Sequence, residues 1–185
     1  KFAIGVIVGS LRHGSYSGAI ANALFELAPD NLALRRIEIG DLPLYNEDLD
    51  EDNVPAAWAR FRGEIEACDG FIFVTPEYNR SMPAAIKNAL DVGSRPYGFS
   101  KWNGKPGAIV CVTPGSLGAF GAGTALRQPM TFLNVLLLQQ PEVYISHVHE
   151  LLDENGKLVN ESTRGFFKSF LDAFDKFAVA IASAK

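Results

Sequence analysis

The sequence predicts an α/β fold, a doubly wound parallel sheet of five strands with helices on both faces. Five short apolar runs alternate with five amphipathic helical stretches along the 185 residues. Three of the apolar runs end in polar loops rich in glycine, serine or proline, each followed by a helical stretch. Because strict alternation of strand and helix favours a parallel sheet, and this length suits one core, we expect a single domain over residues 1–185.

The first strand is predicted over residues 2–9, a continuous apolar run of the kind that is buried on both faces of a parallel sheet. A helix is predicted over 17–27 because apolar residues recur there at helical spacing, and Pro29 ends it. Residues 32–39 alternate weakly between apolar and polar. This pattern indicates a strand near the edge of the sheet.

The next unit comprises a helix, the clearest strand of the chain and a second helix. Pro55 is expected to open a helix that reaches Ala67, and residues 71–75 form the strand. Pro83 suits the first position of a helix over 84–92.

The last unit is predicted in the same way. Residues 107–113 form a strand, a glycine-rich loop spans 114–123, and a helix spans 124–137. A final strand is expected at 143–146 and a closing amphipathic helix at 163–182.

Five strands in this pattern match the flavodoxin-like sheet, whose strand order is 2-1-3-4-5. Ligands of such sheets bind beyond the carboxyl ends of the strands, at the switch between strands 1 and 3. Three loops should meet there: loop 1 (residues 9–17), loop 3 (residues 76–83) and loop 4 (residues 113–121).

Composition excludes several classes of function. The net charge of −4 and pI near 5.4 give no basic surface for nucleic acid or anionic membranes. Cys68 and Cys111 lack CxxC spacing and indicate reduced core thiols. No apolar stretch is long enough to span a bilayer and no signal peptide is evident, so we expect a cytoplasmic protein.

Loop 1 combines three serine hydroxyls and a guanidinium with the start of a helix, a set that favours an anion. Ser15 or Ser17 acting only as a helix cap is the simpler alternative. The loop has neither the Gly-Lys-Ser/Thr ending of a P-loop nor the spacing of GxGxxG. A monophosphate is therefore a better candidate than a pyrophosphate.

Loop 3 is either an ordinary turn or a rigid backbone ledge beneath a ring system, since two prolines stiffen it and Tyr78 offers a flat apolar face. The glycines of loop 4 allow close backbone approach to a ligand, or merely flexibility. His147 and His149 lack further ligands at telling spacing, so no metal site is expected.

The three loops contain sequence motifs that can be compared with known families. They are Gly9-Ser10-Leu11-Arg12 with Ser15 and Ser17, Thr75-Pro76-Glu77-Tyr78-Asn79 with Ser81, Pro83, Lys87-Asn88-Ala89 and Asp91, and Ser116-Leu117-Gly118 with Gly121. Over residues 2–142 the chain resembles the NADPH-dependent FMN reductase family, in particular its flavin-containing NAD(P)H:quinone and chromate reductases. The departures are Ser17, where the family often has Asn, and Val92, where an aromatic residue is common.

The resemblance implies FMN with its phosphate in loop 1 and its ring over loop 3. It implies NADPH or NADH as hydride donor and two-electron ping-pong transfer through flavin N5 to quinones, and by extension to chromate, with no catalytic side chain. A homodimer or homotetramer is also implied, with Arg80, Arg127 and Glu142 as contact residues. The cofactor-binding residues would be Ser10, Leu11, Arg12, Ser15, Tyr16, Ser17, Pro76, Glu77, Tyr78, Asn79, Arg80, Ser116 and Gly118.

Two other classes of function compete with this interpretation. A flavodoxin-type electron carrier would bind FMN without oxidising NAD(P)H itself, but its usual Thr-Gly-x-Thr phosphate loop is absent. A hydrolase on the same sheet would need an activated nucleophile or a carboxylate pair, and the sequence has no GxSxG motif.

Overall fold

The computed structural model describes residues 1–184, which form six parallel strands and five α-helices. The strands are β1 Phe2–Val8, β2 Leu32–Ile37, β3 Gly70–Thr75, β4 Pro106–Val112, β5 Leu136–Leu137 and β6 Val143–Ile145. The helices are α1 Tyr16–Leu27, α2 Ala56–Glu66, α3 Ala84–Gly93, α4 Phe120–Phe132 and α5 Glu161–Ser183.

The sheet confirms the predicted strand order and its parallel sense. The order is β2-β1-β3-β4-β5, and β6 also pairs with β4. The predicted fifth strand is β6, and the short strand β5 before it was not predicted: Leu136 lies opposite Pro106 at one end of β4, and Val143 lies opposite Val110 near the other.

The helix predicted over 124–137 was wrong at both ends, because α4 begins at Phe120 and ends at Phe132. Asn134 adopts a left-handed backbone conformation with φ 55°, which a helix cannot continue through. Val135 then leads directly into β5. Part of the segment predicted as helix is therefore strand, and part of the predicted glycine loop is helix.

Alternation along the buried strands divides the core into two layers. Phe71 and Phe73 of β3 point to one layer and Ile72 and Val74 to the other. The first layer packs beneath α2, α3 and α4, with Trp58, Phe61, Ile65, Ile86, Leu90 and Leu126 among its members. The second packs beneath α1 and α5, with Ile20, Leu24, Phe167, Phe170, Leu171 and Phe174. This is the helix cover on both faces that the sequence predicted.

The long connection between β2 and α2 is fixed to α3 by a buried amide. The side chain of Asn88 accepts a hydrogen bond from the Tyr45 amide (2.8 Å) and donates to the carbonyls of Leu42 (3.2 Å) and Pro43 (3.0 Å). Asn88 belongs to a motif singled out in the sequence, and its role here is to hold this loop. Within residues 1–184, no helix is both long and apolar enough to cross a membrane.

Candidate functional site

The carboxyl ends of β1, β3 and β4 lie side by side, so loops 1, 3 and 4 leave the sheet at one edge. Val8 is paired with Val74, and Thr75 with Cys111. The topology therefore brings together the three loops on which the sequence analysis centred.

Loop 1 ends in a capped helix with free amides. Ser15 is the N-cap of α1, and its Oγ accepts a hydrogen bond from the amide of Gly18 at 3.0 Å. The amides of Tyr16 and Ser17 have no acceptor within residues 1–184. Ser15 thus has the simpler capping role, yet its hydroxyl proton remains available to an anion at the helix start.

The other predicted residues of loop 1 differ in their exposure. Leu11 and Arg12 are exposed, Ser10 and Tyr16 are partly buried, and Ser17 is buried at 1% exposure. The Arg12 guanidinium lies 5.7 Å from the centre of the Tyr16 ring and donates to the Gly14 carbonyl at 3.4 Å. Arg12 is therefore placed at the mouth of the loop, whereas Ser17 faces the protein interior.

Loop 3 contains a tight reverse turn. Tyr78 and Ser81 exchange two backbone hydrogen bonds of 3.0 Å, and the two central residues, Asn79 (φ 51°) and Arg80 (φ 66°), are both left-handed. This pattern is that of a type I′ turn, which normally has Asn or Gly at these positions. The arginine in the second position is an uncommon conformation held by its surroundings.

This turn leaves a row of donors and links two loops. Within residues 1–184 the amides of Glu77, Asn79 and Arg80 have no acceptor. The Tyr78 hydroxyl donates to Ser10 Oγ at 3.2 Å, which joins loop 3 to loop 1. Loop 3 is thus both a turn and a ledge of free amides.

The Glu77 side chain points to the third loop. Its Oε2 accepts a hydrogen bond from the amide of Ala122 at 3.1 Å, at the start of α4. Its other oxygen lies 3.6 Å from the Arg80 guanidinium. A carboxylate at a helix N-terminus is stabilised by the helix dipole, so Glu77 fastens the ledge to α4. Pro76 is partly buried beside it.

Loop 4 offers one exposed and one buried predicted residue. Ser116 is exposed, and its carbonyl accepts a hydrogen bond from Ser146 Oγ at 3.0 Å. Gly118 is buried, with φ +61°, and a Cβ there would lie 2.7 Å from Tyr144 Cβ. Packing therefore explains Gly118 without any ligand.

A cleft of about 940 Å³ opens beside loop 1 on the side away from loop 3. Its walls are residues 10–16, the end of β2 with residues 38–40, and a hairpin around residues 152–156. Neither Ser17 nor any residue of loop 3 lines it. No local sequence pattern indicates this hairpin, because only the fold brings it against loop 1.

Two buried or partly buried acidic groups near this edge, Cys111 and Tyr144, have raised pKa values and stay protonated at ordinary pH. Burial raises the pKa of the Cys111 thiol to about 12. Burial and a hydrogen bond to Glu142 (3.0 Å) raise the pKa of Tyr144. The Arg127 guanidinium lies 3.5 Å from the same carboxylate. No activated nucleophile results from this cluster.

His147 and His149 lie beyond β6 in a short helical turn, with ring centres 6.3 Å apart. No group of three His, Cys, Asp or Glu residues within residues 1–184 is arranged to hold a metal ion.

Comparison with known families identifies the chain. The model of the NADPH-dependent FMN reductase family matches residues 2–150, a range that contains all three loops. The chain belongs to this family. It is therefore an oxidoreductase that uses FMN and a nicotinamide nucleotide, as the motifs predicted.

Relatives within the FMN reductase family match along nearly the whole chain. A quinone reductase of Pseudomonas putida is 54% identical over 173 residues, which cover 94% of this chain and 92% of that protein. A 2-hydroxy-1,4-benzoquinone reductase of a Burkholderia species is 45% identical, over 92% of this chain and 93% of that protein.

A solved structure shows the same fold. FerB, a flavoenzyme NAD(P)H:(acceptor) oxidoreductase from Paracoccus denitrificans, superimposes with a TM-score of 0.91 and 37% identity. The match covers 97% of this chain and 98% of that one. The flavodoxin-like architecture predicted from the sequence is confirmed.

Proposed function

We propose that this chain is an NAD(P)H-dependent quinone reductase that folds as a single domain. It would bind FMN with the phosphate in loop 1 and the isoalloxazine ring on loop 3. The observation that carries the proposal is the Tyr78–Ser10 hydrogen bond of 3.2 Å, which joins a set of phosphate donors to a ledge of free amides. The names of the P. putida and Burkholderia relatives support quinones as acceptors.

The donor set of loop 1 fits the phosphate of FMN. The amides of Tyr16 and Ser17 are free at the start of α1, the Ser15 hydroxyl retains its proton, and the Arg12 guanidinium is exposed beside them. Helix amides, hydroxyls and one guanidinium are the groups that bind a doubly charged phosphate. Ser10 and Leu11 complete the loop, and Ser17 would contribute its amide rather than its side chain.

The ledge of loop 3 would hold the isoalloxazine ring. The amides of Glu77, Asn79 and Arg80 would donate to ring oxygens and nitrogens, with Tyr78 and Pro76 beside them and Ser116 at the opposite rim. When bound, FMN accepts a hydride and passes two electrons to an acceptor. Fixed amides would stabilise the negative charge on the reduced ring, and no side chain need act as acid or base.

We propose chromate as a second acceptor because of the motif resemblance. The nicotinamide donor and the acceptor would use the same place on the ring. A bound ring with one open face would admit nicotinamide and, after its departure, a flat quinone at the same place. Alternation of donor and acceptor at one site predicts ping-pong kinetics.

The test starts with the visible spectrum of the protein reconstituted with FMN. Anaerobic addition of NADPH should bleach the flavin absorption, and benzoquinone should restore it. A flavin that NADPH leaves oxidised would support the electron carrier instead, and failure to bind FMN would contradict both flavin functions. Parallel double-reciprocal plots over varied NADPH and quinone would support ping-pong transfer, and intersecting plots would contradict it.

Variants assign the phosphate site. Arg12→Ala removes the one guanidinium of loop 1 and should raise the Kd for FMN about tenfold, a change of about 1.4 kcal/mol. Lys168→Ala removes an exposed positive charge from α5, far along the chain, and serves as the matched control. Equal Kd values for the two variants would contradict the placement of the phosphate.

We also propose that two copies of this chain associate through an aromatic surface between α3 and α4. Tyr97 (82% exposed), Phe99 (66%) and Phe132 (83%) are unusually exposed aromatic side chains, and Tyr97 and Phe132 line a second cleft of about 530 Å³. Arg127 and Arg80 already pair within the chain. Light scattering should show a homodimer or homotetramer that Phe132→Ser weakens.

A further inference from the structure

The cleft beside loop 1 is larger than the proposed FMN phosphate requires. If the FMN phosphate lies in loop 1 and the ring on loop 3, the ring lies outside the cleft on the side of β3, because no residue of loop 3 lines the cleft. The part beyond, here called the far end, lies between residues 36–40 and the hairpin at 152–156. The far end therefore adjoins the proposed phosphate site and is not filled by FMN.

Two guanidiniums in the cleft have no carboxylate partner. Neither Arg12 nor Arg36 forms an ion pair with any carboxylate within residues 1–184. Arg36 is held at the wall by a hydrogen bond of 3.2 Å from its guanidinium to Asn22 Oδ1 on α1. Loop 1 already supplies amides and hydroxyls for one phosphate, so a second guanidinium fits a second phosphate.

Glu38 lies directly after β2, the neighbour of the strand that leads into loop 1. One carboxylate oxygen accepts a hydrogen bond from the Gly40 amide at 3.1 Å, and the other has no partner among the described residues. In dinucleotide-binding α/β proteins an acidic residue at the end of this strand accepts hydrogen bonds from the ribose hydroxyls of adenosine. Glu38 is placed for the same contact.

The opposite wall is rigid before any ligand arrives. The Asp153 carboxylate accepts hydrogen bonds of 2.9 Å from the amides of Asn155 and Lys157, and Leu152 is bridged to Leu158. A wall that is already ordered costs little entropy on binding. Leu152 and Asn155 of this wall line the cleft.

We propose that the far end binds the adenosine 5′-phosphate group of a dinucleotide, with the ribose on Glu38 and the phosphate on Arg36, next to the flavin phosphate on Arg12. This inference rests on the proposed FMN site, because it takes loop 1 to hold the adjoining phosphate. The group belongs either to FAD, whose adenosine phosphate continues from the flavin phosphate, or to the nicotinamide donor. The whole cleft of about 940 Å³, which this group would share with the flavin phosphate, lies within the range of small-molecule sites.

Calorimetric titration of the FMN-loaded protein with AMP tests the site. One AMP should bind per chain, and Glu38→Ala and Arg36→Ala should each weaken binding about tenfold. Asp30→Asn removes an exposed carboxylate at the other end of α1 and should leave the AMP Kd unchanged. Inorganic phosphate should bind far more weakly than AMP.

Two further measurements identify the source of the adenosine. If it belongs to FAD, the apoprotein should bind FAD about tenfold more tightly than FMN, and Glu38→Ala should remove that advantage. If it belongs to the donor, FAD and FMN should bind alike, and Glu38→Ala should raise the KM for NADH or NADPH without changing kcat.

No AMP binding to the FMN-loaded protein, or equal AMP binding by wild type, Glu38→Ala and Arg36→Ala, would overturn the adenosine site. FMN binding is measured first on the same preparation. Failure at that step contradicts the proposed function, whereas failure with AMP alone contradicts only this inference.

Discussion

Gly121 lies where the start of α4 meets loop 3, and its replacement by alanine should disturb both. A Cβ at this position would lie 2.6 Å from the Arg80 carbonyl oxygen and 2.9 Å from Glu77 Oε2. Ordinary contact begins at 3.4 Å, so the turn must move by about 0.8 Å. The obstacle is a backbone carbonyl of a tight turn rather than a flexible side chain.

The expected magnitude follows from two opposing effects. Alanine in place of glycine in a helix contributes about 0.5–1 kcal/mol of stability. Overpacking against a fixed backbone costs about 1–3 kcal/mol. Gly121→Ala should therefore destabilise the protein by about 1 kcal/mol and, because the displaced turn carries the proposed ring contacts, raise the Kd for FMN about tenfold.

Gly165→Ala is the matched control. Gly165 lies inside α5, and a Cβ there meets nothing within 4 Å. This variant should gain about 0.5–1 kcal/mol and bind FMN as the wild type does. Urea unfolding and flavin fluorescence titration measure the two quantities on both variants. If Gly121→Ala is stabilised as much as Gly165→Ala and binds FMN normally, loop 3 does not hold the flavin as proposed.

Three further predictions concern the interior. Because burial raises the pKa of Cys111 to about 12, its contribution to stability is complete below its unfolded pKa near 9 and is lost as the pH rises toward 12. In a Cys68→Ser background a thiol reagent at pH 8 should label Cys111 only after unfolding, and rapid labelling of the native protein would refute this. Hydrogen bonds from Arg62 lower the pKa of Asp50 below its ordinary 3.8, so their pairing stabilises the fold above that pH and is lost as the pH falls through the lowered value. Asp50→Asn should cost about 3 kcal/mol at pH 7 and progressively less below pH 4, as urea titrations at each pH would show. Asn88→Ala removes the partner of the Tyr45 amide and of the Leu42 carbonyl, whereas the Pro43 carbonyl keeps its hydrogen bond from the Trp58 indole. The variant should cost about 3 kcal/mol in urea unfolding, and a loss under about 1 kcal/mol would contradict the role of this amide.

The sequence predicts the central sheet well, because the apolar runs of β1, β3 and β4 are continuous and buried on both faces. It failed around α4, where apolar residues continue past the end of the helix. The helix ends because the backbone of Asn134 is left-handed. That conformation is set by the fold, in which the next residue, Val135, packs into the core. Asparagine after a periodic segment was the available signal.

The candidate site was predicted in its loops but not in its contacts. The sequence indicates that loops 1 and 3 meet, yet the hydrogen bond from Tyr78 to Ser10 spans 68 positions. The side chain of Glu77 accepts a hydrogen bond from the Ala122 amide at the start of α4, and the side chain of Ser17 is buried. The far wall of the cleft was missed because no local pattern relates residues 152–156 to loop 1.

The pairing of two separate short strands, β5 and β6, with β4 bears on self-association. The outer side of β4 is covered at both ends by different short pieces, with a Pro141-containing segment between them, so this border offers no continuous row of free backbone groups. At the other border, β2 carries the exposed charges of Arg35 and Arg36. Neither border can accept a strand from another molecule at low cost. Growth of the sheet from copy to copy is therefore disfavoured, and the association proposed above would use the surfaces of the helices.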